Sequence, residues 1–360
     1  MNHNIEHLNH RFQLMEVMNK IVFFSGFILL VLIICPIVTA YDERAVQYYD
    51  EGVDFAKPGQ FTEAVASYDK AIAINPDYFE AWTGRGLALR KLGRYSDAIA
   101  SYDKAIAINP DDAITWNLRG NALGKLGRYT DAVTSYDRAI AINPDDARVW
   151  NLRGIALRDF RRYADAVASY DKAIAINPDD DFTWSLRGNS LVKLGRYADA
   201  VASYDKAIAI NPNYTYAWNL RGIALGEFGE YPGAIASYDR AIDINPDDAD
   251  AWYNRGIALG ELGRYTEEVA SYDRAIDINP NYADAWNNRG IALGELGRHT
   301  EAVDSYDKAI EINPNDAPVK QNREMALQKQ TKTTPLLYAP IGAMVLMAGI
   351  AVWTRRRDPL

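Results

Sequence analysis

The chain has 360 residues, a formal net charge of −9 and a single cysteine, Cys35. A modestly acidic balance offers no attraction to a phosphate backbone, so nucleic acid is not expected as a partner. One cysteine excludes an internal disulfide.

Residues 1–20 form a polar tail whose fixed positive charges are Arg11 and Lys20. His3, His7 and His10 would share a helix face, but no cysteine or well-placed carboxylate completes a metal shell, and the tail reads as solvated. Ile21–Val38 is apolar throughout and leads into Thr39-Ala40. Two readings stay open for 21–40. One is a signal peptide cleaved after Ala40, with Lys20 as its basic flank. The other is an uncleaved transmembrane helix, since the span is just long enough to cross a bilayer. Ile34 is too large for a lipoprotein processing site, so Cys35 reads as a buried apolar residue.

From Ala45 onward the sequence repeats with a step of 34 residues. Trp82, Trp116, Trp150, Trp184, Trp218, Trp252 and Trp286 keep that step, and so does the series from Pro76 to Pro314. A period of this size denotes a stacked array of one supersecondary element. In residues 249–282 the first predicted helix carries Ala251, Trp252, Gly256, Ala258, Leu259 and Leu262 at helical spacing, and Gly263 ends it. The second carries Tyr265, Val269, Tyr272, Ala275, Ile276 and Ile278, and Asn279-Pro280 stops it, because proline cannot continue the ladder. Gly256 and Ala275 are small in nearly every copy. This predicts close helix approach, with Trp252 and Tyr272 filling the space alongside.

The pattern on Trp252, Gly256, Leu259, Gly263, Tyr265, Ala275 and Pro280, and on their counterparts, resembles the tetratricopeptide repeat (TPR) family. The resemblance covers about three quarters of the chain as eight units, 45–78, 79–112, 113–146, 147–180, 181–214, 215–248, 249–282 and 283–316. It implies an all-α fold, a right-handed α-solenoid of helix-turn-helix units. Tyr48 in place of tryptophan, Arg161 in place of glycine and His299 in place of an aromatic residue depart from the pattern and bear on local packing only.

After Pro314, residues 317–330 read as a polar capping helix with Val319, Ala326 and Leu327 on one side, as the exposed last face of an array requires. Leu336–Trp353 is a second apolar span followed by Arg355, Arg356 and Arg357, the pattern of a transmembrane helix with 354–360 as a cytoplasmic tail. Both spans carry their positive flanks on the same side, so the array is expected to face outside the cytoplasm. The C-terminal arrangement resembles the anchoring tails of prokaryotic, particularly archaeal, surface proteins.

No phosphate loop, nucleophile elbow or Ser/His/Asp constellation is present, and neither an enzyme nor a cofactor or metal site is expected. The NPDD turns lack calcium-loop spacing and read as helix stops with negative charge for the next helix N-terminus. Asn213-Tyr214-Thr215 is a glycosylation sequon at Asn213, in a turn.

The TPR resemblance further implies that the first helices line a concave groove for peptides. By position this gives Asn117, Asn121, Asn151, Asn189, Asn219, Tyr253 and Asn287. Arg90, Lys91, Lys125, Arg158 and Lys193 lie in the N-terminal half, and Glu227, Asp250, Glu261, Asp284 and Glu295 in the C-terminal half. Amide side chains both donate and accept, which suits an extended backbone. A chaperone-tail carboxylate clamp is not expected, because its basic positions hold Glu80, Ile114, Arg148, Phe182, Tyr216, Asp250 and Asp284. The function expected is a membrane-anchored extracytoplasmic scaffold that binds protein segments. The alternatives are a self-associating structural component of the envelope and a substrate-presenting regulator of a separate enzyme.

One regularity links the units. Asp69, Asp103, Asp137, Asp171, Asp205, Asp239, Asp273 and Asp307 are each followed, sixteen residues later, by Arg85, Arg119, Arg153, Arg187, Arg221, Arg255, Arg289 and Arg323. The first unit has no predecessor and carries Glu51 there. An ion-pair ladder between neighbouring units is expected; the competing reading is two surface residues copied together.

Overall fold

The computed structural model describes residues 43–333. The tail 1–20, the spans 21–40 and 336–353 and the residues 354–360 lie outside the described residues. Among the described residues no helix is long and apolar enough to cross a membrane.

The described chain is helical throughout, beginning with α1 (43–56). The helices follow as pairs: α2 (Phe61–Ile74), α3 (Phe79–Lys91) and α4 (Tyr95–Ile108), α5 (Ala113–Lys125) and α6 (Tyr129–Ile142), α7 (Ala147–Asp159) and α8 (Tyr163–Ile176). These belong to a first compact body that ends at Pro178. A second body begins at Asp179 and holds α9 (Asp181–Lys193), α10 (Tyr197–Ile210), α11 (Thr215–Glu227), α12 (Tyr231–Ile244), α13 (Ala249–Glu261), α14 (Tyr265–Ile278), α15 (Ala283–Glu295), α16 (His299–Ile312) and α17 (Ala317–Thr333). The last of these is the expected cap, three residues longer than 317–330.

Each helix stop has an identifiable cause. In α13 the N–H of Gly263 bonds the Gly260 carbonyl at 2.8 Å and that of Arg264 bonds the Leu259 carbonyl at 3.0 Å. This is the Schellman arrangement, and it needs a left-handed residue between them. Gly263 supplies it at φ 68°. Arg161 holds the same bend at φ 60°, and the same two bonds close around it at 2.8 Å each. The second helices end on Asn-Pro. Asn245 and Asn279 turn the chain by accepting from the N–H two residues on, at 3.3 and 3.2 Å. The aspartates that follow then cap the next helix through their carboxylates: Asp112 accepts from the Thr115 N–H at 2.6 Å and Asp248 from the Ala251 N–H at 3.1 Å. The acidic turns are therefore caps.

Packing within a pair is set by glycine against tyrosine. A Cβ on Gly256 would stand 2.5 Å from Tyr272 Cε1, and one on Gly222 2.5 Å from Tyr238 Cε1. The tyrosines are buried, Tyr272 to 1% exposure. Tyrosine meets the glycine, and tryptophan packs alongside it against Ala275. Trp252 packs with Ala241 and Ile242 of the preceding pair and with Ala275 and Ile276 of its own. Its indole N–H donates to the Pro246 carbonyl at 3.0 Å. The ring seals the seam between repeats, where its N–H finds the turn.

The aspartate–arginine ladder is present within each body. Arg85 reaches Asp69 at 2.6 Å, Arg119 reaches Asp103 at 2.6 Å and Arg153 reaches Asp137 at 2.6 Å. In the second body Arg221 reaches Asp205 at 2.7 Å, Arg255 reaches Asp239 at 2.7 Å and Arg289 reaches Asp273 at 2.6 Å, and Arg323 of α17 pairs with Asp307. The step from Asp171 to Arg187 falls between the two bodies. Each arginine does more than pair. Arg221 also donates to the buried Ser237 Oγ at 2.8 Å and lies 6.0 Å from the Trp218 ring centroid. Ser237 in turn donates to the Gly233 carbonyl at 2.8 Å. One guanidinium thus ties the second helix of one pair, its own first helix and its own second helix.

Candidate functional site

Within each body, first helices of successive pairs touch: α3 with α5 and α5 with α7, then α9 with α11, α11 with α13 and α15 with α17. Their side chains form one continuous face per body. The expected groove residues lie on it as two separate sets.

In the first body Lys91 and Lys125 are exposed, and Arg90, Asn117, Asn121, Asn151 and Arg158 are half-buried. Asn121 donates to Asn117 Oδ1 at 3.2 Å and accepts from the Tyr136 hydroxyl at 3.0 Å. Arg158 pairs with Asp159 at 2.9 Å. Arg90 Nε and the hydroxyls of Tyr102 and Tyr170 are buried polar atoms in this body. Burial pushes the Tyr102 hydroxyl up to about 12, against the lowering influence of Arg90.

In the second body Asn189 accepts from the Tyr204 hydroxyl at 2.8 Å. Asn121 and Asn189 are therefore engaged as props for buried tyrosines. Further on, amides join neighbouring first helices: Asn254 donates to Asn219 at 3.2 Å, Asn288 to the Tyr253 hydroxyl at 3.1 Å and Asn322 to Asn287 at 3.2 Å. Tyr282 donates to Asp250 at 3.0 Å. Lys193, Glu227, Asp250, Glu261, Asp284 and Glu295 are exposed, and Asn213 is exposed in the turn before α11.

The charges on this face differ from those elsewhere. At the starts of the second helices most charges are paired, as in Arg94 with Asp97 at 2.6 Å and Arg264 with Glu267 at 2.6 Å. Among the described residues no ion pair takes up Lys91, Lys125, Lys193, Glu227, Glu261 or Glu295.

Sequence reasoning missed Asn254, Asn288 and Glu268. All three depart from the repeat: the asparagines replace the leucines at 118, 152, 186 and 220, and Glu268 replaces alanine. Glu268 is 7% exposed. Burial pushes its carboxyl up to about 7, reinforced by Glu261 and Glu295 and opposed by a hydrogen bond with Tyr272. Among the described residues no group of three or more histidines, cysteines or carboxylates is placed to hold a metal ion.

Comparison with known proteins gives concordant likenesses. A family model described as tetratricopeptide repeat matches residues 49–113, 117–181, 185–249 and 220–283, and a second model of that description matches 283–316. An uncharacterized protein of Methanocaldococcus jannaschii is 40% identical over 48 residues, which are 13% of this chain and 56% of that protein. The chain thus spans about half the length of this relative. Among solved structures, the C-terminal part of a TPR repeat-containing protein from Cytophaga hutchinsonii matches at 16% identity over 66% of this chain and 97% of its own, with a TM-score of 0.58. That likeness shows the helical-repeat fold. YrrB, described as a TPR protein with an unusual peptide-binding site, matches at 23% identity over 53% of this chain and 99% of its own, with a TM-score of 0.46.

Proposed function

Because the chain belongs to the tetratricopeptide repeat family, we propose that it is a scaffold holding protein segments on the first-helix faces of its two bodies. One observation carries this: the exposed charges of these faces lack the ion pairs that most charges on the second-helix starts have, and at the first-helix ends they run in chain order from Lys91, Lys125 and Lys193 to Glu227, Glu261 and Glu295. Lys91 and Lys125 serve the first body, and Glu227, Glu261 and Glu295 the second. An acidic segment suits the first face and a basic segment the second, and both associations weaken with salt. The paired amides of α11 to α17 offer a hydrogen-bonding row to an extended backbone. Catalysis, where it occurs, belongs to the partner.

Crosslinking from the native membrane captures the partner. Charge reversal at Lys91 and Lys125 together, and separately at Glu261 and Glu295, is expected to weaken it at least tenfold. Unchanged affinity in both variants overturns the scaffold reading.

We further propose that the apolar spans anchor the chain in a prokaryotic cell membrane with the repeats outside the cytoplasm. The support is the placement of Arg11, Lys20 and Arg355–Arg357 on one side of the two spans. An Asn213→Cys variant in a Cys35→Ser background is expected to react with a membrane-impermeant thiol reagent on intact cells. Labelling only after lysis overturns this topology.

A further inference from the structure

The second body carries two cavities that are copies of each other one repeat apart. The first, of about 390 Å³, is walled by Ile223, Tyr231 and Ile257, with Glu227 and Glu261 at its edge. The second, of about 350 Å³, is walled by Ile257, Tyr265 and Ile291, with Glu261 and Glu295 at its edge. They differ in one feature: Glu268 lines the second, and its counterpart in the first is Ala234. At this position the other second helices hold Ala64, Ala98, Ala132, Ala166, Ala200, Ala234 and Ala302, all at 0% exposure.

The glutamate bends toward the first helix and opens on the cavity. A Cβ on Gly260 would stand 2.8 Å from its Oε1, so the carboxylate occupies the space that this glycine leaves. Among the described residues no cation pairs with it. Its surroundings are Glu261 on α13, Tyr265 and the hydrogen-bonding Tyr272 on its own helix, and Glu295 on α15. A carboxylate on a residue 7% exposed, raised in energy by two others and without a counter-charge, is unfavourable in the folded chain alone. It becomes favourable when a cation arrives from outside.

The ligand's chemistry follows from the walls. The three carboxylates are not grouped to hold one metal ion. Isoleucine and tyrosine walls above a carboxylate floor suit a cation at the end of an aliphatic stem. We propose that the cavity floored by Glu268 receives a lysine or arginine side chain of the bound segment, and that Glu268 is the residue that selects for it. This rests on the scaffold reading of the second face and names what that face takes. The neighbouring cavity, where the fully buried Ala234 holds this position and leaves no carboxylate beneath, accepts a second side chain with less demand for charge.

The test uses the full chain and two fluorescein-labelled, end-blocked nonapeptides of glycine and serine, one with lysine at alternate positions and one with norleucine there. Titration by fluorescence anisotropy at pH 8 is expected to favour the lysine peptide at least tenfold. Glu268→Ala, which restores the residue of the other repeats, and Glu268→Gln, which keeps its size, should each remove that preference. Ala234→Glu should strengthen lysine-peptide binding about threefold or more. Wild-type affinity for the lysine peptide should rise about tenfold from pH 6 to pH 8, and Glu268→Ala should flatten that rise. A lysine preference that survives both Glu268 variants, or no lysine preference in the wild type, overturns the assignment. If the captured partner still responds to charge reversal at Glu261 and Glu295, only the cavity assignment falls. If it responds to neither reversal, the scaffold reading falls as well.

Discussion

Arg161 does what glycine does at Gly93, Gly127, Gly195, Gly229, Gly263 and Gly297, holding a left-handed bend after a first helix. A side chain at positive φ carries a steric penalty that glycine escapes. Arg161→Gly is therefore expected to raise stability by about 1 kcal/mol, read from the midpoint of urea denaturation. A lower midpoint would show that the arginine side chain contributes more than the bend costs. Glu268 gives a second test at this scale. Its folded carboxyl titrates at about 7, above the ordinary 4.5, so the folded chain holds the proton more tightly than the unfolded chain does. The stability contributed by that proton is fully present below about pH 4.5 and is lost as pH rises through about 7. Glu268→Ala should accordingly be more stable than wild type by about 3 kcal/mol at pH 8, with a much smaller difference at pH 4. Parallel denaturation curves at the two pH values check this, and a pH-independent difference refutes it.

At the scale of the helix, α11 contains a contrast within one turn. Gly222→Ala would drive a methyl into the buried Tyr238 ring, while a Cβ on Gly226 meets nothing within 4 Å. The first substitution is expected to cost about 1–3 kcal/mol by overpacking and the second to gain about 0.5–1 kcal/mol by helix propensity, both from denaturant midpoints. The arginine contacts give unequal partners. Asp205 is half exposed, whereas Arg221 is less so and also holds Ser237 and Trp218. A double-mutant cycle on Asp205 and Arg221 should return a coupling near 1 kcal/mol, the upper end for an exposed pair. Arg221→Ala should cost more than Asp205→Ala. Coupling indistinguishable from zero would reduce the pair to two surface residues.

Periodicity made much of this legible. The helix pairs, the glycine bends, the tyrosine against glycine and the aspartate sixteen residues before each arginine all follow from one repeated pattern. What stayed hidden depends on where three helices meet. Ser237 is a small polar residue in every copy, and nothing in its spacing announces that an arginine from the first helix will reach it. The Trp252 bond to the Pro246 carbonyl requires the curl of a turn that a linear pattern does not encode. Asn254, Asn288 and Glu268 were visible as departures from the repeat. Their meaning was not, because burial and cross-helix reach are properties of the folded face.

For the molecule as a whole, the ends of the array are chemically closed. Gln47, Glu51 and Asp54 stand where the next first helix has Ala81, Arg85 and Ala88. In α17, Glu324 stands where Gly290 receives the Tyr306 ring, and Lys320 where Trp286 stands. Neither end offers the surface that a further repeat would need. Val319 and Ala326 of α17 are buried with Val303 and Tyr306, and Leu327 packs against them. Ending the chain after Asn315 should expose that cluster, lower the denaturation midpoint and produce concentration-dependent association in light scattering. A truncated chain that stays monomeric and equally stable would show α17 to be dispensable.

The arginine contacts have a consequence for how such a chain changes over generations. Each repeat presents an aspartate forward and an arginine backward, so it carries one half of a joint at either end. A recombination that adds or removes a whole number of 34-residue modules rejoins matching halves, whichever modules are involved. Length can then drift without a new interface being invented. Only the two termini need bespoke sequence, while single positions such as Glu268 remain free to acquire an identity of their own.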